Sequence, residues 1–312
     1  MCKIFITSNS VNSFCSCRRQ YDYKFNKNLS PVEKAKSYDN AVALSKAVTS
    51  LAESFMQGIS FEEAIVRGTE LIHNYGLDDA GDAQIEAAFK AYASRYYNVE
   101  NDKWQVVENT VNACVDIPVS PNVIYRTHID YVAYKDQGKY FLVVNKSSST
   151  SITDDFFTKF FIDNDIRMQV IAAKQLLGLE ITGVIINAMT RPQQKIRVGE
   201  TDEEYAERNA ARKGKADLKR KVGETREEYI QRMVEDYPAD SLRKFFITFT
   251  DAQLNQAMSN ILAIASDIMS CKTFYPNPSE CSKYGKCPYM NLCKHDGNLA
   301  ECSDEYVITV GE

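Results

Sequence analysis

Three of the nine cysteines fall within thirteen residues near the end of the 312-residue chain, at Cys281, Cys287 and Cys293. Gly285 and Pro288 interrupt this stretch, which predicts a shaped loop rather than a helix. Thiolates at such spacing can converge on one metal centre, and a centre of that kind would fold the whole segment around itself. Three unrelated buried thiols are the alternative, because cysteine is among the most commonly buried residue types.

The spacing alone leaves the kind of metal centre open. Structural zinc sites usually contain ligand pairs two to four residues apart, whereas five residues fill each gap here. An iron–sulfur cluster also takes four thiolates and tolerates varied spacing. A fourth ligand must come from elsewhere in the chain. The N-terminus has no long apolar stretch after a basic start, so we expect a reducing compartment without a disulfide framework.

The composition is ordinary for a globular chain, with 44% hydrophobic and 25% charged residues, which excludes a mostly disordered protein. The longest apolar runs are far shorter than the ~20 residues of a membrane helix. Basic residues number 37 and acidic residues 42, giving a net charge of −5. This balance excludes a strongly basic nucleic-acid coat but not a locally basic groove. We expect a cytoplasmic protein.

Apolar residues recur at helical spacing in the N-terminal third of the chain and again towards its end. The predicted helices are Asp39–Gln57, Phe61–Tyr75, Asp82–Tyr97, Arg167–Leu177 and Asp251–Ser270. Segments rich in β-branched and aromatic residues lie between them and predict strands. The predicted strands are Trp104–Val119, Asn122–Tyr134, Lys139–Lys146, Ile181–Thr190 and Phe245–Thr250, of which the first three would form an antiparallel meander.

A charged segment, Val198–Asp236, contains an internal repeat. VGETDEEYAER begins at Val198 and VGETREEYIQR begins at Val222, 24 residues later. The threonine before two acidic residues in each copy is typical of a helix start. We predict two short surface helices, or one interrupted helical hairpin, projecting from the core. Its role is either that of a solvated insertion or that of a clamp for nucleic acid or a protein partner.

Candidate catalytic residues fall on the predicted meander, with Glu108 on the first strand, Asp130 on the second and Lys146 at the end of the third. A carboxylate can hold Mg²⁺ or Mn²⁺, which polarises a phosphate and lowers the pKa of a bound water. A lysine can orient that water or stabilise developing charge. The pattern suits metal-assisted phosphodiester cleavage, although surface hairpins often carry such residues without function.

Both ends of the chain resemble the PD-(D/E)XK nuclease superfamily, in the RecB-like branch of CRISPR-associated and phage exonucleases that carries an iron–sulfur cluster. SNSVNSFCSCRRQYDYKF is similar to the opening of that branch, and CSKYGKCPYMNLC is similar to its closing cysteine triplet. The resemblance implies that Cys17, with Cys15 as the less favoured choice, joins Cys281, Cys287 and Cys293 around a 4Fe–4S cluster.

The motifs in the middle of the chain resemble the catalytic motifs of the same superfamily. RTHIDYVAY is similar to the strand that bears the metal-binding Asp130, and VVENTVNACVDIPV to the strand before it, with Glu108 at its start. FLVVNKSSS is similar to the acid-X-Lys motif and supplies Lys146, but Val144 occupies the acidic position. DIRMQVIAAKQLLG is similar to the helix that carries a glutamine, here Gln169.

The resemblance also implies a role for each of these residues. Asp130 would bind Mg²⁺ or Mn²⁺ with help from the backbone carbonyl of Asn145, and Lys146 would position the attacking water. Glu108 would support the site, and Gln169 would contact the metal-bound water or the substrate. The first helix of the family usually carries a glycine and then a metal-binding histidine, where this chain has Ser45 and Thr49.

Basic and aromatic residues alternate after Cys17. Arg18, Arg19 and Lys24 lie among tyrosines and a phenylalanine, so they could contact phosphates while the rings stack on bases. The alternative is that these residues pack the N-terminus around the cysteines.

The resemblance implies an α/β (α+β) fold with a restriction-endonuclease-like core, in which a central mixed sheet is flanked by helices and the two termini join at a cysteine cluster. We expect a single nuclease-like domain over residues 1–312. Its expected parts are an N-terminal helical part at 1–100, a core at 101–194 and 241–270, a charged insertion at 195–240 and a cysteine region at 271–302.

The expected function is a metal-dependent exonuclease acting on DNA, single-stranded or at ends, in recombination, repair or phage DNA processing. The cell would be a bacterium or one infected by a phage, and the 195–240 insertion could bind a protein partner. The alternative is a catalytically weakened module that binds DNA or a partner, because Val144 and Thr49 stand where metal ligands belong.

Overall fold

The computed structural model describes residues 3–32, 36–97, 104–136, 138–148, 150–211, 219–283 and 286–309, with the backbone alone at 36–39. The strands are β1 (Ile4–Thr7), β2 (Leu29–Pro31), β3 (Gln105–Val106), β4 (Ala113–Ser120), β5 (Val123–Ile129), β6 (Tyr131–Tyr134), β7 (Tyr140–Ser148), β8 (Ile181–Thr190), β9 (Leu242–Ile247) and β10 (Tyr306–Ile308).

The α-helices lie mainly at the two ends of the chain and between β7 and β9. They are α1 (Ser8–Ser16), α2 (Arg18–Tyr21), α3 (Lys36–Met56), α4 (Phe61–His73), α5 (Asp79–Tyr96), α6 (Asp154–Thr158), α7 (Asn164–Leu177), α8 (Asp202–Ala210), α9 (Arg226–Glu235), α10 (Asp251–Ser270) and α11 (Met290–Lys294). In the described ranges, no helix combines the length and the apolar character needed to cross a membrane.

The strands of the described residues form a five-stranded, a three-stranded and a two-stranded sheet. The five-stranded sheet has the order β3-β6-β7-β8-β9, with β7 and β8 parallel and the other pairs antiparallel. The three-stranded sheet has the order β1-β5-β4, with β1 parallel to β5. The central sheet is therefore mixed, as predicted.

The predicted three-strand meander is wrong in outline, because its first two strands are each divided. Trp104–Val119 splits into β3 and β4, since Asn109 and Asn112 adopt left-handed backbone conformations (φ 63° and 52°) between them. Asparagine tolerates this conformation better than most residues. Asn122–Tyr134 splits at Asp130 into β5 and β6. As a result β4 and β5 pair in the smaller sheet, while β3 and β6 join the larger one.

Helices cover both faces of the five-stranded sheet. On one face Leu142 and Val144 of β7 belong to the core that α7 and α10 complete. On the other face Val143 packs with Ala52 of α3. This alternation follows from the two-residue period of a strand, and it buries β7 on both sides. The predicted α/β class, with a central mixed sheet flanked by helices, is confirmed.

The two ends of the chain meet beside the cysteine-rich loop. β10 pairs antiparallel with β2. Beneath this pair, Tyr23 and Leu29 from the N-terminal part share a small core with Tyr289 and Tyr306 from the C-terminal part. The hydroxyl of Tyr289 donates a hydrogen bond to the carbonyl of Leu29 at 2.7 Å. These contacts join the two termini.

The two copies of the repeated motif pair with each other. The N–H of Glu200 donates to the carbonyl of Lys221 at 3.3 Å, and the N–H of Glu224 donates to the carbonyl of Arg197 at 3.0 Å. Each glutamate side chain in turn accepts a backbone N–H from the other copy. The segments just before α8 and α9 therefore pair through reciprocal hydrogen bonds, in an arrangement close to twofold symmetry.

The expectation that the Val198–Asp236 segment projects from the core is wrong for α9. Tyr229 is fully buried against α5. Arg226 forms ion pairs with Asp82 and with Glu86, the latter at 2.6 Å. In α8, by contrast, no residue is buried. The second copy of the repeat is thus anchored to the helical layer, and the first copy lies on the surface.

Candidate functional site

Asp130 lies at the point where the chain passes from the three-stranded sheet to the five-stranded sheet. Its carbonyl accepts the N–H of Asn112 at 2.8 Å, and its Oδ2 accepts the N–H of Asn145 at 2.6 Å. Because Tyr131 pairs with Val143 in the antiparallel β6–β7 register, Asp130 lies beside Val144. The backbone of β7 therefore fixes the position of the Asp130 carboxylate.

Lys146 follows Val144 by two residues on β7, so the two side chains lie on one face of the sheet, the face that also carries Asp130. Burial raises the pKa of Asp130 to about 6. The hydrogen bond from Asn145 and the positive charge of Lys146 oppose this rise in pKa, and the negative charge of Asp165 adds to it. The site thus contains two carboxylates and one ammonium group within electrostatic range.

Val144, which the resemblance predicts to stand in place of an acid, is only 2% exposed. Its side chain packs in the core with α7. It offers no atom that could bind a metal ion. Any second carboxylate at this site must therefore come from another element.

Helix α7 brings Asp165 and Gln169 to the same site. The Nε2 of Gln169 donates to Oδ2 of Asp165 at 3.0 Å, and the hydroxyl of Tyr125 donates to Oδ1 at 3.0 Å. Asp163 caps the helix by accepting the N–H of Asp165 at 2.8 Å. Both oxygens of Asp165 are therefore oriented by neighbouring side chains.

Asp165 is the residue that sequence reasoning missed. Its signal was the spacing of four residues between Asp165 and Gln169, which places two side chains on one face of a helix. Gln169 itself is 7% exposed and holds Asp165 through the bond described above.

The side chain of Asn145 faces away from Lys146, towards α3. Its Nδ2 donates to Oγ1 of Thr49 at 3.0 Å, and its Oδ1 accepts from Nδ2 of Asn187 at 3.1 Å. The amide is thus used to join α3 to the sheet. The metal contact predicted for Asn145 involves its backbone carbonyl and not this side chain.

Glu108 does not lie on a strand, contrary to the sequence prediction. It lies on an exposed turn between β3 and β4, immediately before the left-handed Asn109. Within the described ranges, no hydrogen bond joins Glu108 to Asp130 or Lys146. The prediction failed because Val106 and Val107 look like the middle of a longer strand, whereas β3 ends at Val106.

The four cysteines predicted to bind a cluster lie within electrostatic range of one another, between the two ends of the chain. The N–H of Asn277 donates to the sulfur of Cys17 at 3.4 Å, and the thiol of Cys281 lies 3.7 Å from the carbonyl of Asn277. Burial raises the pKa of Cys287, and charges at Cys281, Cys293 and Cys17 raise that pKa further. Cys15, the less favoured alternative to Cys17, is exposed.

The four sulfurs are not packed as closely as those of a closed zinc tetrahedron. Among the described residues, no three of the four lie within 4.8 Å of one another. Zn–S bonds of about 2.3 Å would place the four sulfurs of a zinc tetrahedron roughly 3.8 Å apart.

Arg19 is engaged in packing around the cysteines. Its Nε donates to the carbonyl of Phe274 at 2.7 Å, and one terminal nitrogen donates to the Tyr23 hydroxyl at 3.3 Å. Arg18 stacks over Tyr275, with 5.2 Å from the guanidinium carbon to the ring centre. The ammonium of Lys24 lies 5.2 Å from the centre of the Phe25 ring. For the two arginines, these contacts favour the packing alternative over a dedicated phosphate site.

No family model matches the chain, and no curated protein matches it either. Among solved structures it is similar to a Eubacterium rectale protein that bears the name "Putative exonuclease", with 13% sequence identity and a TM-score of 0.46. The match covers 94% of this chain and 88% of that one. A TM-score below 0.5 establishes neither a shared fold nor a shared activity.

Proposed function

We propose that the chain is a metal-dependent DNA exonuclease of the PD-(D/E)XK type, acting on single strands or ends in recombination, repair or phage DNA processing. The compartment would be the cytoplasm of a bacterium or of a phage-infected cell. The observation that carries the proposal is the meeting of Asp130 and Lys146 on one side of β6–β7, with Asp165 and Gln169 of α7 beside them.

The donor set of this site suits a hard divalent cation. Asp130, Asp165 and Gln169 offer oxygen atoms, which Mg²⁺ and Mn²⁺ prefer. When bound, such an ion would polarise the scissile phosphate and lower the pKa of a water. The N–H of Asn145 holds Oδ2 of Asp130 in place, so this carboxylate is oriented before any ion binds. Lys146 would orient the attacking water and stabilise charge on the phosphate.

Asp165 compensates for the missing acid at Val144 in this proposal. Its negative charge acts on Asp130, and it is held by Tyr125 and Gln169. A carboxylate from α7 would thus take the place of one from β7. Because the ligand comes from a different direction, we expect slow cleavage that Mn²⁺ supports better than Mg²⁺.

The test is digestion of a 5′-labelled single-stranded oligonucleotide with Mg²⁺ or Mn²⁺. Asp130→Ala and Lys146→Ala should abolish cleavage, and Asp165→Asn should lower it by about 100-fold. Glu108→Gln should cleave like the unaltered chain, since Glu108 lies on an exposed turn. Cleavage that survives Asp130→Ala would place the chemistry elsewhere.

A 4Fe–4S cluster at Cys17, Cys281, Cys287 and Cys293 is the second part of the proposal. The electrostatic proximity of these four cysteines to one another supports it. Anaerobically purified protein should contain iron and sulfide and absorb near ~400 nm. Cys17→Ala should lose the absorbance, whereas Cys15→Ala, two residues away and exposed, should keep it. Stoichiometric zinc without sulfide would refute this assignment.

A module that binds DNA or a protein partner without cleaving is the second candidate function, and the burial of Val144 in the core favours it. The two candidates differ in one result. A binding module would retain single-stranded DNA in a gel-shift assay without any metal-dependent cleavage, and Asp130→Ala would leave that binding unchanged.

A further inference from the structure

A cavity of about 640 Å³ lies across the sheet from Asp130 and Lys146. Its floor is the face of β6, β7 and β8 that carries Val143 and Ile185, and its walls include the last residues of α3 and α5. The volume falls in the range of about 300–1,000 Å³ typical of small-molecule sites.

The walls of this cavity are built largely from aromatic rings. Phe55 and Tyr97 stack on each other with ring centres 5.0 Å apart and planes at 10°. Trp104 meets Phe141 edge to face at 5.5 Å. Phe246 lies on β9 with 56% of its surface exposed. Flat apolar rings of this kind favour a planar aromatic ligand.

The inner end of the cavity is polar. The hydroxyls of Tyr97 and Tyr131 lie 3.3 Å apart, and Nδ2 of Asn187 donates to the Tyr92 hydroxyl at 2.9 Å. Oδ1 of Asn187 is buried and has no hydrogen-bond partner among the described residues. An alkyl chain inserted here would end against hydroxyl and amide groups, which disfavours a fatty acid.

Lys244 supplies a positive charge at the exposed edge of the cavity. Lys244 is the one charged residue among the described residues that line it, and its ammonium lies 4.1 Å from the centre of the Tyr96 ring. A ligand with an anionic group at one end would place that group near Lys244.

We propose that this cavity binds a nucleobase, with the ring between the aromatic walls, its polar edge at the tyrosine hydroxyls and its phosphate at Lys244. The base could belong to a free nucleotide or to a nucleic-acid strand. The site lies on the opposite face of the sheet from Asp130, so it does not depend on the proposed nuclease activity.

Trp104 is the single tryptophan of the chain and lines the cavity, so its fluorescence can report ligand binding there. Tryptophan fluorescence is followed while the protein, with EDTA present and no added divalent cation, is titrated with dAMP, with a short oligodeoxyadenylate and with decanoate. We expect saturable quenching by dAMP or by the oligonucleotide. Binding of dAMP points to a free nucleotide, and binding of the oligonucleotide alone points to a strand.

Two pairs of variants distinguish binding in the cavity from binding elsewhere on the surface. Phe246→Ala should weaken binding about tenfold, as expected for the loss of a stacking ring, whereas Phe5→Ala, also about half exposed but on β1, should not change it. Lys244→Met should weaken binding, and Lys46→Met, which removes a lysine from above another tyrosine ring, should not. Quenching by decanoate alone, no saturable quenching, or equal affinity in Phe246→Ala would overturn the proposal.

Discussion

Val144→Glu places an acid beside Asp130, and its effect on stability can be worked out from the surroundings. The new carboxylate would lie in the core beside Asp130, whose own pKa is already raised to about 6 by burial. An ordinary aspartate has a pKa near ~3.9, so ionised Asp130 already costs about 3 kcal/mol. A second buried carboxylate should lower the free energy of unfolding by at least a similar amount at pH 8.

A divalent ion should reverse most of this loss. A ligand present at 100 times its dissociation constant stabilises the folded state by about 2.7 kcal/mol. The assay is thermal unfolding at pH 8 with EDTA or with Mn²⁺. Unfolding temperatures shift by roughly 2 °C per kcal/mol in a chain of this size. We therefore expect Val144→Glu to melt several degrees lower in EDTA and to recover much of that difference in Mn²⁺.

Val144→Gln is the matched control, because it has nearly the same shape without the negative charge. It should lose stability in EDTA and gain no more from Mn²⁺ than the unaltered chain does. The reasoning fails if Mn²⁺ stabilises Val144→Glu and Val144→Gln equally. That result would mean that position 144 does not face a metal site.

The remaining predictions concern pH, charge coupling and the anchoring of α9. In EDTA, the raised pKa of Asp130 means that the folded chain keeps a proton that the unfolded chain loses, so the contribution of Asp130 to stability should fall by about 2 kcal/mol from pH 4 to pH 6. Urea unfolding should show that this fall is absent in Asp130→Asn, and an equal fall in the variant would contradict it. Asp165→Asn removes a like charge, so NMR titration should find a lower pKa for Asp130, and an unchanged pKa would contradict the coupling. Arg226→Met leaves Glu86 without one partner and should cost about 2 kcal/mol in urea unfolding. Arg220→Met, which breaks an exposed pair with Asp202, should cost less than ~0.5 kcal/mol, and equal losses would mean that Arg226 is not an anchor.

The sequence predicted elements best where local pattern and tertiary position agree. β8 and α10 have the predicted bounds. β8 is a nearly continuous apolar run buried on both faces, and α10 begins at a Thr250 capping box. The predicted start of α5 is three residues too late. Asp78 is the N-cap of this helix, and Gly81 in its first turn weakens the helical pattern.

The strands around Asp130 could not be predicted in the same way. A long β-rich segment does not reveal that its two halves pair in different sheets, since strand partners are chosen by contacts distant in sequence. The interruption at Asp130 and the left-handed Asn109 mark the change of sheet. This is also why Glu108 was placed on a strand.

The candidate site was predictable in part for a related reason. Asp130 immediately precedes β6 and Lys146 lies on the neighbouring strand β7, so the β6–β7 register alone brings them close. Asp165 reaches the site because α7 packs across that hairpin. This packing is tertiary and leaves no pattern in the local sequence. The anchoring of α9 through Arg226 likewise depends on α5, far away in sequence.

The central claim is that Lys146 acts in chemistry at a metal site built on Asp130. The most direct measurement combines Mn²⁺ binding, by calorimetry, with single-turnover cleavage of a labelled single strand in Lys146→Met and Asp130→Asn. Lys146→Met should bind Mn²⁺ about as well as the unaltered chain and cleave at least ~100-fold more slowly. Asp130→Asn should lose both Mn²⁺ binding and cleavage. Cleavage at the normal rate in Lys146→Met, or normal Mn²⁺ binding in Asp130→Asn, would contradict the account.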